Sequence, residues 1–139
     1  MGLFRTRSAA VYGIEAHLID VEVDLYNSGS ARDFITVGMP DLAVRESRER
    51  IKSALMNSGF GYPSKAVTIN LAPANVRKEG PGFDLPMALG ILGAMGTLHQ
   101  SDQHLSTGEL SLDGAVRPIR GALSIAVCAR QRNFGALQN

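Results

Sequence analysis

Residues 16 to 26 alternate strictly, with Val21, Val23 and Leu25 on one parity and Asp20, Glu22 and Asp24 on the other. A period of two predicts a strand with one buried and one wet face. The preceding stretch, Ser8 to Glu15 with Ala9, Val11 and Ile14, is its expected hairpin partner. Phe34-Ile35-Thr36-Val37 follows the Asn27-Ser28-Gly29-Ser30 turn as a third strand. The spacing then changes to that of a helix. Val44, Ile51, Ala54 and Leu55 recur on one side, Asp41 is placed to cap the start, and Gly59 is placed to end it. The other side carries Arg45, Glu46, Arg48, Glu49, Arg50 and Lys52 and reads as a solvated face, with Glu46 and Arg50 four apart in the favourable order.

Ala66 to Leu71 is a nearly unbroken apolar run, which predicts an interior strand covered on both faces, stopped by Pro73. A loop rich in glycine and charge leads to Asp84, expected to cap a helix that tolerates Pro86 in its first turn. Leu105 to Leu112 reads as a strand, Asp113-Gly114 as a hairpin turn, and Ala115 to Pro118 as a short return. A last helix runs from about Arg120 to Arg132 with Ala122, Leu123, Ile125, Ala126, Cys128 and Ala129 on its apolar side. The expected order is three strands, helix, strand, helix, hairpin, helix.

Composition bounds what this fold can serve. With 139 residues, 45% apolar and 19% charged, residues 1–139 form a single domain around one core. The lone Cys128 cannot form an internal disulfide, which points to a reducing, cytoplasmic setting. The N-terminus lacks the pattern of a signal peptide. The most apolar run, Leu85 to Leu98, is interrupted by Pro86, Gly90, Gly93 and Gly96, so no membrane is expected as a partner. Net charge is only +1, yet beyond Asp113 stand Arg117, Arg120, Arg130 and Arg132 with no acid among them. That basic end is either a solvated helix face or an edge for DNA or a partner.

Candidate chemistry is sparse. There is no Gly-x-x-x-x-Gly-Lys-Ser/Thr stretch to cradle nucleotide phosphates, so no ATP hydrolysis is expected of these residues. No metal site is expected, because His17, His99 and His104 have no carboxylate spaced around them and there is one cysteine. No Gly-x-Ser-x-Gly elbow occurs. The Gly80-Pro81-Gly82 turn ahead of Asp84 could offer backbone N–H groups to an anion, or serve simply as a tight strand-to-helix connection.

The stretch from Ile69 through Pro73-Ala74-Asn75-Val76-Arg77-Lys78-Glu79-Gly80-Pro81-Gly82-Phe83-Asp84 to Gly90 resembles the signature of the ComM/YifB Mg-chelatase-like family of AAA+ ATPases. So do Gly38-Met39-Pro40-Asp41 with Val44-Arg45-Glu46-Ser47, and Gly108-Glu109-Leu110-Ser111-Leu112-Asp113-Gly114 with Arg117-Pro118-Ile119-Arg120-Gly121. Together they cover nearly the whole chain. The resemblance implies a two-layer α/β (α+β) fold like the Lon protease catalytic domain and the second domain of ribosomal protein S5. In Lon-type peptidases the turn matching Gly80-Pro81-Gly82 carries a nucleophilic serine, and a lysine serves as its base. Aligned on those motifs, the serine position falls on Gly82 and the lysine position on Leu123, neither of which can do the chemistry.

The resemblance therefore implies a Lon-like domain without peptidase activity. Its AAA+ motor, with ATP and Mg as cofactors, is expected after residue 139, and its partners are that module and the neighbouring subunits of a hexameric ring. ComM-type members are DNA helicases of branch migration in natural transformation, so DNA is a further candidate partner, with Arg77, Lys78, Arg117, Arg120, Arg130 and Arg132 as candidate phosphate contacts. The alternative is a hydrolase with a displaced catalytic set drawn from Ser106, Ser111 or Ser124.

Overall fold

The computed structural model describes residues 2–29, 33–99, 104–119, 121–131 and 135–138, with backbone only at 122–124 and 135–138. A four-stranded sheet has the order β1-β2-β4-β3, formed by β1 (Leu3–Tyr12), β2 (Glu15–Tyr26), β3 (Phe34–Val37) and β4 (Ala66–Ala72). The pairs β1–β2 and β2–β4 are antiparallel, while β3 lies parallel to β4. Helices α1 (Leu42–Asn57) and α2 (Asp84–Ala94) cover one face. Two smaller pairs complete the fold: β5 (His104–Thr107) beside β8 (Gly135–Gln138), and β6 (Glu109–Leu110) beside β7 (Val116–Arg117). Helix α3 (Ala122–Gln131) lies between β7 and β8 in the chain.

The alternation in β2 decides which face is which. Ile19, Val21, Val23 and Leu25 are buried against Val67, Ile69 and Leu71 of β4 and against Val44, Ile51, Leu55, Met87 and Ile91 of the two helices. The opposite parity is taken up by α3 at one end of the sheet, where Ala9, Leu105, Ile125 and Ala129 form a second cluster with Val11, Leu18 and Ile119. Along the rest of that face Asp20, Glu22 and Asp24 stay partly exposed. Arg7 pairs with Asp20 at 2.9 Å, and the Asn70 amide donates to Glu22 at 2.8 Å.

Helix α2 approaches the sheet so closely that a Cβ at Gly90 would strike Val23, and one at Gly93 would strike the Phe4 ring. These two glycines are what let α2 lie flat on β1 and β2. No helix among the described residues is long and apolar enough to cross a membrane.

Several expectations are met. The three opening strands, the helix capped by Asp41, the interior strand and the last helix are present, and Asp41 Oδ1 accepts from the Val44 N–H at 2.8 Å as an N-cap should. Others are corrected. The first strand begins at Leu3 and turns at Gly13. The run from Leu105 to Leu112 is split at Gly108 into β5 and β6, and β8 has no counterpart in the sequence reading. Strand β4 is interior but dry on one face only, since Thr68 and Asn70 are partly exposed. Arg50 leaves the charged face of α1 and turns inward, and Asp84 caps nothing, because it is already the first residue of α2.

Candidate functional site

Three separated segments meet at the loop between β4 and α2. Pro73, joined to Ala72 by a cis peptide bond, ends the strand, and the Val76 N–H donates back to the Pro73 carbonyl at 3.3 Å. Lys78 then runs alongside the Gly38–Asp41 turn. Its N–H donates to the Met39 carbonyl at 3.0 Å, and its carbonyl accepts from the Asp41 N–H at 2.9 Å. Asp41, while capping α1 with Oδ1, accepts the Gly80 N–H on Oδ2 at 3.1 Å. Of the two readings of this turn, the tight connection holds at Gly80, whose N–H is already occupied by an internal carboxylate.

One carboxylate thus fixes both a helix start and the loop. Asp41→Ala is expected to lower stability by about 1–2 kcal/mol through loss of the cap and the tether. Asp41→Asn, which keeps a side-chain acceptor, should lose less. Urea unfolding of the three proteins checks this, and equal midpoints would remove Asp41 from the argument.

The third segment enters through Gly82. Its carbonyl accepts from the Gly108 N–H at 2.9 Å and from the Thr107 hydroxyl at 3.2 Å, and the Leu85 N–H donates to the Gly108 carbonyl at 3.0 Å. A side chain at position 82 would meet Thr107 Oγ1 at 3.1 Å and Ile119 Cγ2 at 3.6 Å. Next to it, Asp84 is fully buried. Its carboxylate accepts from Arg50 Nε at 2.6 Å, from Arg50 Nη2 at 3.0 Å and from the Leu110 N–H at 3.0 Å. The guanidinium also donates to the Ala43 carbonyl at 2.8 Å. Its pKa is raised, first by the hydrogen bond to Asp84, so the guanidinium stays charged.

The candidate residues are scattered. Position 82 holds no nucleophile. The helical backbone at Leu123, where the sequence resemblance would put the lysine, is described but its side chain is not, and the same applies to Ser124. Ser106 is buried, and the Ser111 hydroxyl accepts from Arg117 Nε at 2.6 Å. Of the candidate phosphate contacts, Arg77 stands in the loop, Arg117 on β7 and Arg130 in the last turn of α3, all exposed, while Arg120 and Arg132 lie outside the described residues. Arg77 pairs with Glu79 at 3.2 Å. Among the described residues no group of His, Cys, Asp and Glu is placed to hold a metal ion.

Lys78 departs from the expectation. Its side chain is 0% exposed and its ammonium donates to the Pro73 carbonyl, so it offers no surface to a phosphate. Burial lowers its pKa from 10.5. A folded-state pKa below the unfolded one means that the unfolded chain binds more protons over the interval between the two. The charged lysine therefore costs stability at neutral pH, and that cost is relieved as the pH rises toward 10.5. Lys78→Met is expected to be more stable than the parent by about 1 kcal/mol at neutral pH. The gap should narrow on the alkaline side at up to about 1.4 kcal/mol per pH unit. Chemical denaturation across that range decides it, a pH-independent difference being the adverse result.

What sequence reasoning missed is where the loop lies. Asn75, Val76 and Arg77 face Tyr12 and His17 at the turn end of the first hairpin, across an open cleft of about 300 Å³. The rings of Tyr12 and His17 are 5.4 Å apart and tilted at 58°. Burial, and then Glu79, raise the pKa of the phenol, with Arg77 acting in the opposite sense.

Comparison with known proteins gives this arrangement its kin. The family described as "Subunit ChlI of Mg-chelatase" matches residues 21–137. The chain is 42% identical over 128 residues to "Uncharacterized protein YifB" of Escherichia coli, covering 91% of this chain and 25% of that protein. It is 41% identical over 133 residues to "Competence protein ComM" of Haemophilus influenzae, covering 94% and 26%. A more distant likeness, 26% over 137 residues, joins it to "Lon protease 2" of Bacillus subtilis, covering 88% of this chain and 25% of that protein. The chain spans about a quarter of the length of these relatives. Its mixed α/β fold is consistent with the Lon likeness, and its three interlocked motifs are those that resembled ComM and YifB. The chain belongs to the Mg-chelatase ChlI family, with YifB and ComM as its homologues.

Proposed function

We propose that this chain is the non-catalytic, Lon-like N-terminal domain of a cytoplasmic ComM-type AAA+ ATPase. In this reading it serves the assembly of a hexameric ring and the handling of DNA or a protein partner during branch migration in natural transformation. The observation that carries the reading is Gly82. The turn is braced as a reactive loop would be, by Asp41 and the Gly108 strand, yet its apex bears no side chain and packs against Thr107. Of the serines of the alternative reading, Ser106, Ser111 and Ser124, the burial of Ser106 and the hydrogen bond from Arg117 to Ser111 speak against the first two as displaced nucleophiles. ATP and Mg belong to the motor module of the longer protein in this reading, and the likeness to the competence protein ComM of Haemophilus influenzae supports the assignment to competence.

DNA handling is tested by the salt dependence of binding. In the full-length protein, alanine at Arg77, Arg117 and Arg130 is expected to weaken binding to single-stranded DNA and to reduce the slope of log affinity against log salt by about 0.7 per lost phosphate contact. An unchanged affinity and slope would leave the domain with assembly and protein docking alone.

A further inference from the structure

The cleft at the end of the first hairpin is built from donors. Of its five lining residues, Tyr12, His17, Asn75 and Arg77 carry a phenol, an imidazole, an amide and a guanidinium, and Val76 completes the wall. The Tyr12 hydroxyl is shielded from solvent and has no hydrogen-bond partner among the described residues. That hydroxyl lies behind the wall, and the groups open to the cleft are those of His17, Asn75 and Arg77, all exposed. Beside the cleft in sequence is Lys78, a fully buried cation that meets only the Pro73 carbonyl, with no carboxylate in ion-pair distance among the described residues. A buried cation of that kind favours an anion nearby.

The loop is already set in place by the bonds from Lys78 to Met39 and from Gly80 to Asp41, so little ordering would oppose a ligand. Glu79, paired with Arg77 at 3.2 Å, is a resident carboxylate that an external anion would have to displace.

We propose that this cleft binds a phosphate group, with Arg77 meeting its charge and His17 and Asn75 placed to donate to its oxygens. Donors from three separate side chains suit a tetrahedral anion better than a planar carboxylate, which a single guanidinium can satisfy. The phosphate has two sources, the backbone of single-stranded DNA and a free nucleotide. The inference rests on the DNA-handling reading for the first source only.

The test is a titration of isotope-labelled chain, followed by the NMR signals of His17, Arg77 and the Asn75 side-chain amide, with inorganic phosphate, thymidine monophosphate and a thymidine oligonucleotide as separate probes. Phosphate and the mononucleotide are expected to move these signals saturably. Arg77→Ala should weaken binding about tenfold and Glu79→Gln should tighten it about threefold. Both residues are largely exposed, so both variants should fold, which the same spectra verify. If the signals stay still, or move equally in Arg77→Ala, the site does not exist. An oligonucleotide that competes at these signals identifies the strand backbone as the source. An oligonucleotide that fails where the mononucleotide binds identifies a free nucleotide and removes DNA handling from this cleft. Binding of the oligonucleotide elsewhere, with these signals unmoved by any probe, would sink the phosphate site and leave DNA handling standing.

Discussion

Asp84→Leu is expected to lower the unfolding free energy by about 3–5 kcal/mol, a large fraction of what a domain of this size possesses. The carboxylate is 0% exposed and receives three hydrogen bonds, two from Arg50 and one from the Leu110 N–H. Removing it leaves a guanidinium whose side chain is only 21% exposed without its counter-charge, and strands a buried backbone donor. The double variant Arg50→Met with Asp84→Leu should recover much of the loss, because no unpaired charge then remains. Chemical denaturation of both variants measures the coupling. A single variant within 1 kcal/mol of the parent, on the order of an exposed ion pair, would show that water reaches the pair freely.

Gly38→Ala should be comparably damaging for a different reason. Gly38 has φ 104°, and a Cβ there would collide with the carbonyl oxygen of Leu71 in the central strand β4. Neither backbone can yield without breaking the β3–β4 ladder, so a loss of about 3–5 kcal/mol is expected. Gly59→Ala supplies the comparison. Gly59 has φ 87° but nothing within 4 Å of the added carbon, so it reports the conformational cost alone, about 1 kcal/mol. Thermal or urea unfolding separates the two contributions, and equal losses would mean that the close approach to Leu71 relaxes without cost.

The sequence was most legible where local chemistry and burial agreed. Strand β2 announces itself because its acidic residues share one parity, and Asp41 is recognisable as a cap because nothing distant competes for Oδ1. Strand β1 was harder to read at its start, since Thr6 and Ser8 sit on its buried side, and Thr6 is accommodated by donating to the Pro86 carbonyl at 2.8 Å, eighty positions away. Asp84 looked like a cap for the same reason that Asp41 is one. Its oxygens were claimed instead by Arg50, on a helix that sequence order gives no reason to place beside it. Lys78 looked exposed because lysines usually are, and its burial follows from the Met39–Asp41 turn laid over the loop. The cleft was illegible because its two walls are some sixty residues apart. The family motifs marked the loop itself, and the fold explains why three of them are needed together.

The packing at Gly82 bears on what the turn can carry. A Cβ placed there would lie 3.1 Å from the Thr107 hydroxyl oxygen and 3.6 Å from Ile119 Cγ2. Any larger residue at position 82 therefore competes with Thr107 and Ile119 for the same room, and the turn can widen only at the expense of the side chains that brace it from β5 and the loop after β7.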